Sequence, residues 1–191
     1  MEKSERIRQL MPLINQIKDE KLRTGVVETW VKAWEESEWE DVADCPFHVG
    51  LQDCSLIQHT NFVVTVAMAM ASSARDTWHI PVDTDLLLAG AVLHDVCKVV
   101  EHSPEKGKPG KQSAIGENLV HGAYGVHLAL NVGLPLSVAH LIGTHTPQVS
   151  QVPKVIEGIF ICYADYAAAD IFLLDKGMPL ILNAIDVKLY R

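Results

Sequence analysis

The sequence predicts an all-α protein, and three features of the chain support this. Apolar residues recur at helical spacing, as Ile7, Leu10, Ile14 and Ile17 do near the start. No segment alternates apolar and polar residues in the way that is typical of a half-buried strand. Polar clusters with proline or glycine separate the apolar segments, at intervals that suit the connections of a helical bundle.

Capping residues and prolines indicate where the helices begin and end. Asp53 or Ser55 is a suitable N-cap for a long helix, and Pro135 and Pro153 stand at first-turn positions of later ones. We expect loops at the segment 41–53 and at the polar segment 101–117, which is rich in glycine and proline. The helices predicted in order are 3–20, 22–39, 55–75, 81–100, 118–132, 135–142, 153–174 and, as a further candidate, 178–188.

The length of 191 residues suits a single globular unit with a substantial core. Within this unit we expect residues 1–40 to form helices that pack on the remainder, residues 41–191. Three of the four tryptophans lie in the first 40 residues, among acidic side chains. Packing on the core is the favoured interpretation, and a surface that binds a partner is the alternative. These tryptophans are Trp30, Trp34 and Trp39.

Composition limits the partners and the compartment that we expect. The net charge of -8 argues against a nucleic-acid polymer as ligand, and no apolar run is long enough to span a membrane. The charged N-terminal segment lacks the apolar stretch of a signal peptide. The sequence leaves a monomer and a homo-oligomer both open. Four cysteines form no C-x-x-C pair, so we expect reduced thiols in a cytoplasmic protein: Cys45, Cys54, Cys97 and Cys162.

Six scattered histidines and aspartates are the strongest functional signal. Each lies in or beside an apolar, helix-patterned segment, where burying an imidazole or a carboxylate is costly unless a cation or hydrogen bonds compensate. Successive members are separated by about one helix and one loop, so a bundle could bring them to one interior point. They are His59, His94, Asp95, His121, His145 and Asp165.

Taken singly, these residues also have structural interpretations. His59 shares the apolar stripe of its helix and could be a core histidine bonded to a backbone carbonyl. Asp95 could form a helix-end salt bridge with Lys98, three residues further on. Asp165 is harder to explain in this way because its helix is apolar on nearly every face, although Asp170 could be the ligand instead. A metal centre explains all six residues together.

The order His…His-Asp…His…His…Asp resembles the HD-domain superfamily of metal-dependent phosphohydrolases, over roughly residues 55–170. The resemblance implies an all-α HD domain, a helical bundle around a metal centre. The extra histidines are similar to those of the dinuclear branch. The resemblance implies that a first ion is held by His59, His94, Asp95 and Asp165. It implies that a second ion is held by His121 and His145, with Asp95 bridging the two ions.

Two departures from the family pattern bear on which subgroup of the family the chain resembles. The family often has the motif HD-x-G-K, and here Cys97 takes the place of the glycine while Lys98 matches the lysine. The HD-GYP subgroup has a double histidine and a Gly-Tyr-Pro run where this chain has THTPQVS, around His145. We therefore do not expect a cyclic-dinucleotide phosphodiesterase of that type.

The resemblance predicts hydrolysis of a small phosphoester or nucleotide, so the expected partner is a small anionic substrate. Asp95 and Lys98 are the predicted catalytic residues, with Lys98 on a phosphate oxygen. The ligand set contains imidazoles and carboxylates, which suits Fe, Mn, Ni, Co, Zn or Mg. The resemblance to the dinuclear branch implies two divalent ions, and such a pair can stabilise both the attacking and the leaving oxygen.

Other interpretations remain open from the sequence alone. The same ligand set suits an HD-type di-iron oxygenase that cleaves a small molecule with O₂. A non-catalytic, metal-binding sensor or scaffold is a third possibility. The segment 101–117 could be a mobile basic lid, with Lys106, Lys108 and Lys111 binding substrate beside Lys98, or merely a solvated loop.

Overall fold

Nine α-helices lie in the part of the chain that the computed structural model describes, residues 1–51 and 53–183. This confirms the all-α prediction. The candidate helix 178–188 extends beyond the described residues, and its described part contains only the short 3₁₀ helix Ile181–Asn183. The α-helices are α1 Lys3–Leu10, α2 Glu20–Glu35, α3 Leu56–Trp78, α4 Thr84–Leu93, α5 Lys98–Glu101, α6 Ala114–Asn118, α7 Ala123–Asn131, α8 Leu136–Thr144 and α9 Ile156–Asp175.

A two-stranded antiparallel ribbon occupies most of the segment where a loop was expected. It consists of β1, His102–Glu105, and β2, Lys108–Gln112. The turn between them contains Gly107 with φ +78°, a conformation that glycine adopts without strain. The prediction of a loop was wrong here because the side chains of the ribbon are mostly polar, and the ribbon therefore lacks the alternation that marks a half-buried strand.

Two helix boundaries differ from the prediction for local reasons. The first helix ends at Leu10 rather than near residue 20, because Pro12 lacks a backbone N–H and disfavours helical geometry at Met11. A later helix begins at Ala123 rather than at 118, because Gly122 adopts the left-handed conformation, φ +88°. The chain between Pro12 and Gln16 forms a 3₁₀ helix instead.

The predicted helix 81–100 is divided by a tight turn. The Val96 N–H donates to the Leu93 carbonyl, a bond to the third residue back that ends the regular α-helical pattern of α4. The Val92 carbonyl, which Val96 would otherwise reach, accepts the Trp30 indole N–H at 3.1 Å. The N-terminal region is thereby bonded to the chain at the point where α4 stops.

The N-terminal helices share one apolar core with the helices that follow. Ile7 of α1, Trp30 of α2 and Leu56 of α3 are fully buried members of this core. A second indole N–H, that of Trp39, donates to the carbonyl of His102 at 3.0 Å. These contacts join the N-terminal helices to the rest of the chain, and the division into residues 1–40 and 41–191 stays a prediction.

Two further features bear on earlier expectations. Among the described helices, none is both long and apolar enough to cross a membrane. The cysteines Cys45, Cys54, Cys97 and Cys162 are free thiols, and all except Cys54 are buried.

Replacing Gly90 with alanine should destabilise the bundle where α4 meets α8 and α9. A Cβ at this position would overlap the side chains of Leu141 and Ile161, because these side chains pack directly against the backbone of Gly90. We expect the free energy of unfolding, measured by urea denaturation, to fall by about 1–3 kcal/mol. The matched control is Gly143→Ala in α8, whose Cβ would meet Val126 at 3.2 Å. Equal stability of the two variants would contradict the prediction.

Candidate metal centre

Two of the six candidate ligands directly follow a helix and are held in the same way. His94 follows α4 and His145 follows α8. The Nδ1 atom of each ring lies 2.7 Å from the carbonyl oxygen three residues back, that of Ala91 and Ile142 respectively. A carbonyl can only accept a hydrogen bond, so each ring carries a proton on Nδ1, and the neutral ring presents the lone pair of Nε2 to the site.

The long helices α3 and α9 supply His59 and Asp165. A capping box, in which Ser55 and Gln58 exchange side-chain-to-backbone hydrogen bonds, starts α3 one turn before His59. The His59 ring stacks on Phe47, with ring centroids 3.9 Å apart. Asp165 is buried midway along α9, and its Oδ1 lies 3.0 Å from His59 Nε2. The side chains of α3 and α9 thus meet at the site.

His121 comes from the connection between α6 and α7. The adjacent Gly122 has φ +88°, and a Cβ on it would lie 3.1 Å from the Ile142 carbonyl oxygen. Glycine therefore allows this connection to approach the end of α8 closely. The His121 ring reaches Asp95 on one side and Glu101 on the other, with Nε2 2.9 Å from Asp95 Oδ1 and Nδ1 2.8 Å from Glu101 Oε2.

The first group of potential ligands surrounds one oxygen of Asp95. Asp95 Oδ2 lies 3.4 Å from His59 Nε2 and 3.4 Å from His94 Nε2. Asp165 Oδ1 faces the same two rings, at 3.0 Å and 3.8 Å. One atom from each of these four residues can therefore contact a single ion.

The second group uses the other oxygen of the same carboxylate. Asp95 Oδ1 lies 2.9 Å from His121 Nε2 and 3.5 Å from His145 Nε2. Atoms of these three residues also converge closely enough to hold an ion. Asp95 is thus common to both groups, through a different oxygen in each.

The donor set fits divalent cations. In the first group the Nε2 atoms of His59 and His94 face each other at 3.3 Å, and that of the neutral His94 ring carries a lone pair. In the second group His145 Nε2 is buried and has no hydrogen-bond partner in the described part of the chain. Asp95 Oδ2 pairs with the Lys98 ammonium at 2.8 Å and also faces the Nε2 atoms of His59 and His94. Lone pairs that face a common point in this way are what a bound cation satisfies.

The electrostatics of the site favour positive charge. Burial opposes ionisation of Asp95, but Lys98 and His94 hold the pKa of its carboxyl well below the usual range. Burial also opposes charge on His94, but Asp95 and Asp165 raise its pKa. The Lys98 ammonium lies 2.8 Å from Asp95 Oδ2 and 4.0 Å from the centroid of the Phe47 ring. The predicted salt bridge is therefore present, and its carboxylate belongs to Asp95, one of the six candidate ligands.

A cavity of about 620 Å³ leads to these groups. Polar residues that include Asp95, Lys98, His121, His145 and Asp165 line its inner part. A larger cleft, about 800 Å³, lies at α2 and the α7–α8 connection, but it contains none of the six residues. The smaller cavity is therefore the candidate substrate site. Its apolar lining consists of Phe47, Leu119, Pro147, Tyr166, Leu173, Met178, Pro179 and Ile181.

The alternative ligand Asp170 has a different role. Its carboxylate accepts the backbone N–H groups of Ile181, at 2.6 Å, and Leu182, at 3.3 Å. It lies in α9 away from both ligand groups and fixes the segment that forms one wall of the cavity. The structure thus places Asp165, and not Asp170, among the candidate ligands.

Three lysines that were expected at the substrate lie on the ribbon. Lys106, Lys108 and Lys111 are exposed, and none of them lines the cavity. Lys108 instead pairs with Glu105, at 3.0 Å. Their role as a basic lid gains no support from this geometry and stays a prediction, whereas Lys98 lies in the cavity wall.

Two residues of the site were not identified from the sequence. Phe47 lies in a predicted loop, where a single aromatic residue gives no periodic signal. Glu101 was assigned to the start of a loop, although it stands seven residues after His94 and so shares its side of a continuous helical pattern. That spacing, together with an acidic residue after a long apolar segment, could have identified Glu101.

Comparisons with known proteins agree with the geometry. Residues 56–170, which contain all six candidate ligands, match the family model described as HD domain. The chain is 29% identical over 178 residues to a dihydroneopterin 2',3'-cyclic phosphate phosphodiesterase of Methanocaldococcus jannaschii, covering 85% of this chain and 68% of that protein. No solved structure gives a significant match. Because the family model matches more than half of its length, the chain belongs to the HD-domain family.

Proposed function

We propose that this protein is a metal-dependent phosphodiesterase that opens the cyclic phosphate of a small molecule. The observation that carries the proposal is the position of Asp95, whose two oxygens face two separate groups of histidines beside a substrate-sized cavity. The activity named for the similar archaeal protein supports the same reaction class. Neither the oxygenase nor the scaffold interpretation gains comparable support.

Two divalent ions, drawn from Fe, Mn, Ni, Co, Zn or Mg, fit this proposal. His59, His94, Asp95 and Asp165 would hold the first ion, and Asp95, His121 and His145 the second. When bound, such ions lower the pKa of a water nucleophile and neutralise charge that develops on phosphoryl oxygens. The ligand groups bring the ions to the inner end of the cavity, where a phosphate would bind.

The chain's own residues bind and orient the ester during the reaction. A water oxygen forms a bond to phosphorus while one ester P–O bond breaks, so the cyclic diester becomes a monoester and the released oxygen takes up a proton. Lys98 stabilises a non-bridging phosphate oxygen through its charge. Phe47 contacts both Lys98 and His59, and so restricts the position of the ammonium group.

The cavity wall favours a substrate with an apolar or aromatic organic part. Tyr166 and Leu173 of α9 line the cavity together with Met178. Such side chains bind the flat face of a heterocycle, while the charged inner end selects the phosphate. A small heterocycle with a cyclic phosphate on its side chain meets both requirements. A nucleic-acid polymer would not be enclosed by a cavity of about 620 Å³.

The test is a hydrolysis assay on protein that has been stripped with a chelator and reloaded with one metal at a time. We expect dihydroneopterin 2',3'-cyclic phosphate and nucleoside 2',3'-cyclic phosphates to be opened to monoesters by the reloaded protein. The stripped protein should show no hydrolysis above background, because the nucleophile is then not activated. The matching monoesters are the control substrates and should release phosphate more slowly.

The assay also separates the remaining interpretations. Protein that contains iron and consumes oxygen only with substrate would favour the oxygenase. Fully loaded protein that hydrolyses neither diesters nor monoesters would contradict the proposal and favour the scaffold. Faster hydrolysis of monoesters than of diesters would keep the metal chemistry but overturn the proposed substrate class.

A further inference from the structure

Glu101 is a buried carboxylate behind the second group of candidate ligands. It ends α5 and is 6% exposed. Its Oε2 lies 2.8 Å from His121 Nδ1, while the opposite nitrogen of that ring, Nε2, lies 2.9 Å from Asp95 Oδ1. Glu101, which also lines the cavity, thus forms a continuous line with His121 and Asp95 to the candidate metal position.

A metal ion in the second group would give this line a direction. A neutral histidine has one N–H, and an ionised carboxylate can only accept it. Both ring nitrogens of His121 face a carboxylate oxygen, and an ion bound beside Asp95 would need the lone pair of Nε2, which leaves the N–H on Nδ1 for Glu101. With the proton on Nδ1, His121 presents the lone pair of Nε2 to the second group. A carboxylate partner also makes the ring a stronger ligand than a carbonyl does.

We infer that Glu101 is a positioning residue, which fixes the orientation and the proton of His121 so that this histidine binds the second metal ion. The inference rests on the proposed dinuclear function and adds a residue that acts through His121 rather than on the substrate. Histidine ligands His94 and His145 use backbone carbonyls for the same purpose. Only the second ion should therefore depend on Glu101.

The surroundings of Glu101 hold it firmly in this position. Its carbonyl accepts the Ser113 N–H at 2.8 Å. The connection to α6 packs so closely that a Cβ on Gly116 would lie 2.5 Å from the same carbonyl oxygen. The second carboxylate oxygen, Oε1, is buried and finds no hydrogen-bond partner among residues 1–51 and 53–183. An unpartnered buried oxygen destabilises the fold, which argues for a role beyond packing.

Cys97 offers a competing explanation for the same cluster. Its Sγ lies 3.6 Å from His121 Nδ1, and Cys97, Glu101 and His121 could together hold an ion of their own. Glu101 Oε2 is, however, the nearer partner of that nitrogen, at 2.8 Å, and Cys97 belongs to neither group that contains Asp95. Two variants, one at each residue, distinguish the positioning role from a thiolate site.

The experiment compares Mn²⁺ binding to chelator-stripped full-length variants. Glu101→Met keeps the approximate length of the side chain but removes the acceptor, so the second Mn²⁺ should bind about 10–100-fold more weakly while the first binds as in the wild type. Glu101→Gln keeps a neutral acceptor and should give an intermediate shift. Glu157→Met is the matched control, since Glu157 is also 6% exposed and accepts the Asp83 N–H at 2.8 Å, away from the metal groups.

Each outcome decides between the explanations. Unchanged affinity for both ions in Glu101→Met, or in Glu101→Gln if the methionine variant does not fold, would overturn the inference. Loss of an ion in Cys97→Ala would assign that ion to a thiolate site and would also overturn it. A wild-type protein that binds fewer than two Mn²⁺ ions would instead overturn the dinuclear function on which the inference rests.

Discussion

Replacing Asp95 with alanine should remove both metal ions and reduce hydrolysis of the cyclic phosphate by at least about 10³-fold. The two oxygens of this carboxylate face different ligand groups, so a single substitution takes one ligand from each. Elemental analysis of purified protein should find two equivalents of metal in the wild type and none in the variant. The rate of diester hydrolysis should fall in parallel.

Asp170→Asn is the matched control for this prediction. Asp170 is another buried aspartate, but it accepts backbone N–H groups from Ile181 and Leu182 and belongs to neither ligand group. We expect this variant to keep both metal ions. Metal content that falls equally in both variants would indicate general unfolding, whereas full metal content in Asp95→Ala would exclude the bridging role.

Replacing Lys98 with methionine should lower kcat by about 10²–10³-fold while the metal content stays at two equivalents. The substitution keeps the aliphatic length of the side chain but removes the charge that we assign to a phosphate oxygen. Burial opposes the charge on Lys98, yet Asp95 and Asp165 raise its pKa above the usual value. The ammonium therefore remains protonated throughout the neutral range. A moderate change of pH should consequently not reduce kcat in the wild type by removing the Lys98 charge.

The control for Lys98 is a lysine on the ribbon. Lys108→Met removes an exposed charge that pairs with Glu105, outside the cavity. We expect its kcat and KM to match the wild type, and a large rise in KM would instead support the predicted basic lid. Unchanged kinetics in Lys98→Met would show that this lysine only balances the charge of Asp95.

Much of the fold and of the candidate site could be predicted from the sequence because the relevant signals are local. Burial of Asp165 follows from the apolar residues around it on α9, and the apolar run before His94 places that histidine in the interior. The structure brings all six residues to one place. Their roles as ligands remain predictions that the metal analysis tests.

The remaining features depend on contacts that a linear pattern does not contain. The turn that divides the predicted helix 81–100 is bonded by Trp30, which lies more than fifty residues earlier in the chain. Phe47 is part of the site because the loop that carries it folds against His59 and Lys98. The ribbon pairs two polar strands whose residues have no periodic apolar signal. Such long-range or polar contacts are decided by tertiary packing.

The distribution of the ligands along the chain makes a bound ion act as a cross-link. The candidate ligands lie in or beside α3, α4, α7, α8 and α9, so the sites exist only when these helices are assembled. An ion that binds the folded chain alone adds about 2.7 kcal/mol to its stability when the free ion is at 100 times its Kd. Metal supply would then govern how much of this protein is folded, as well as how fast it works.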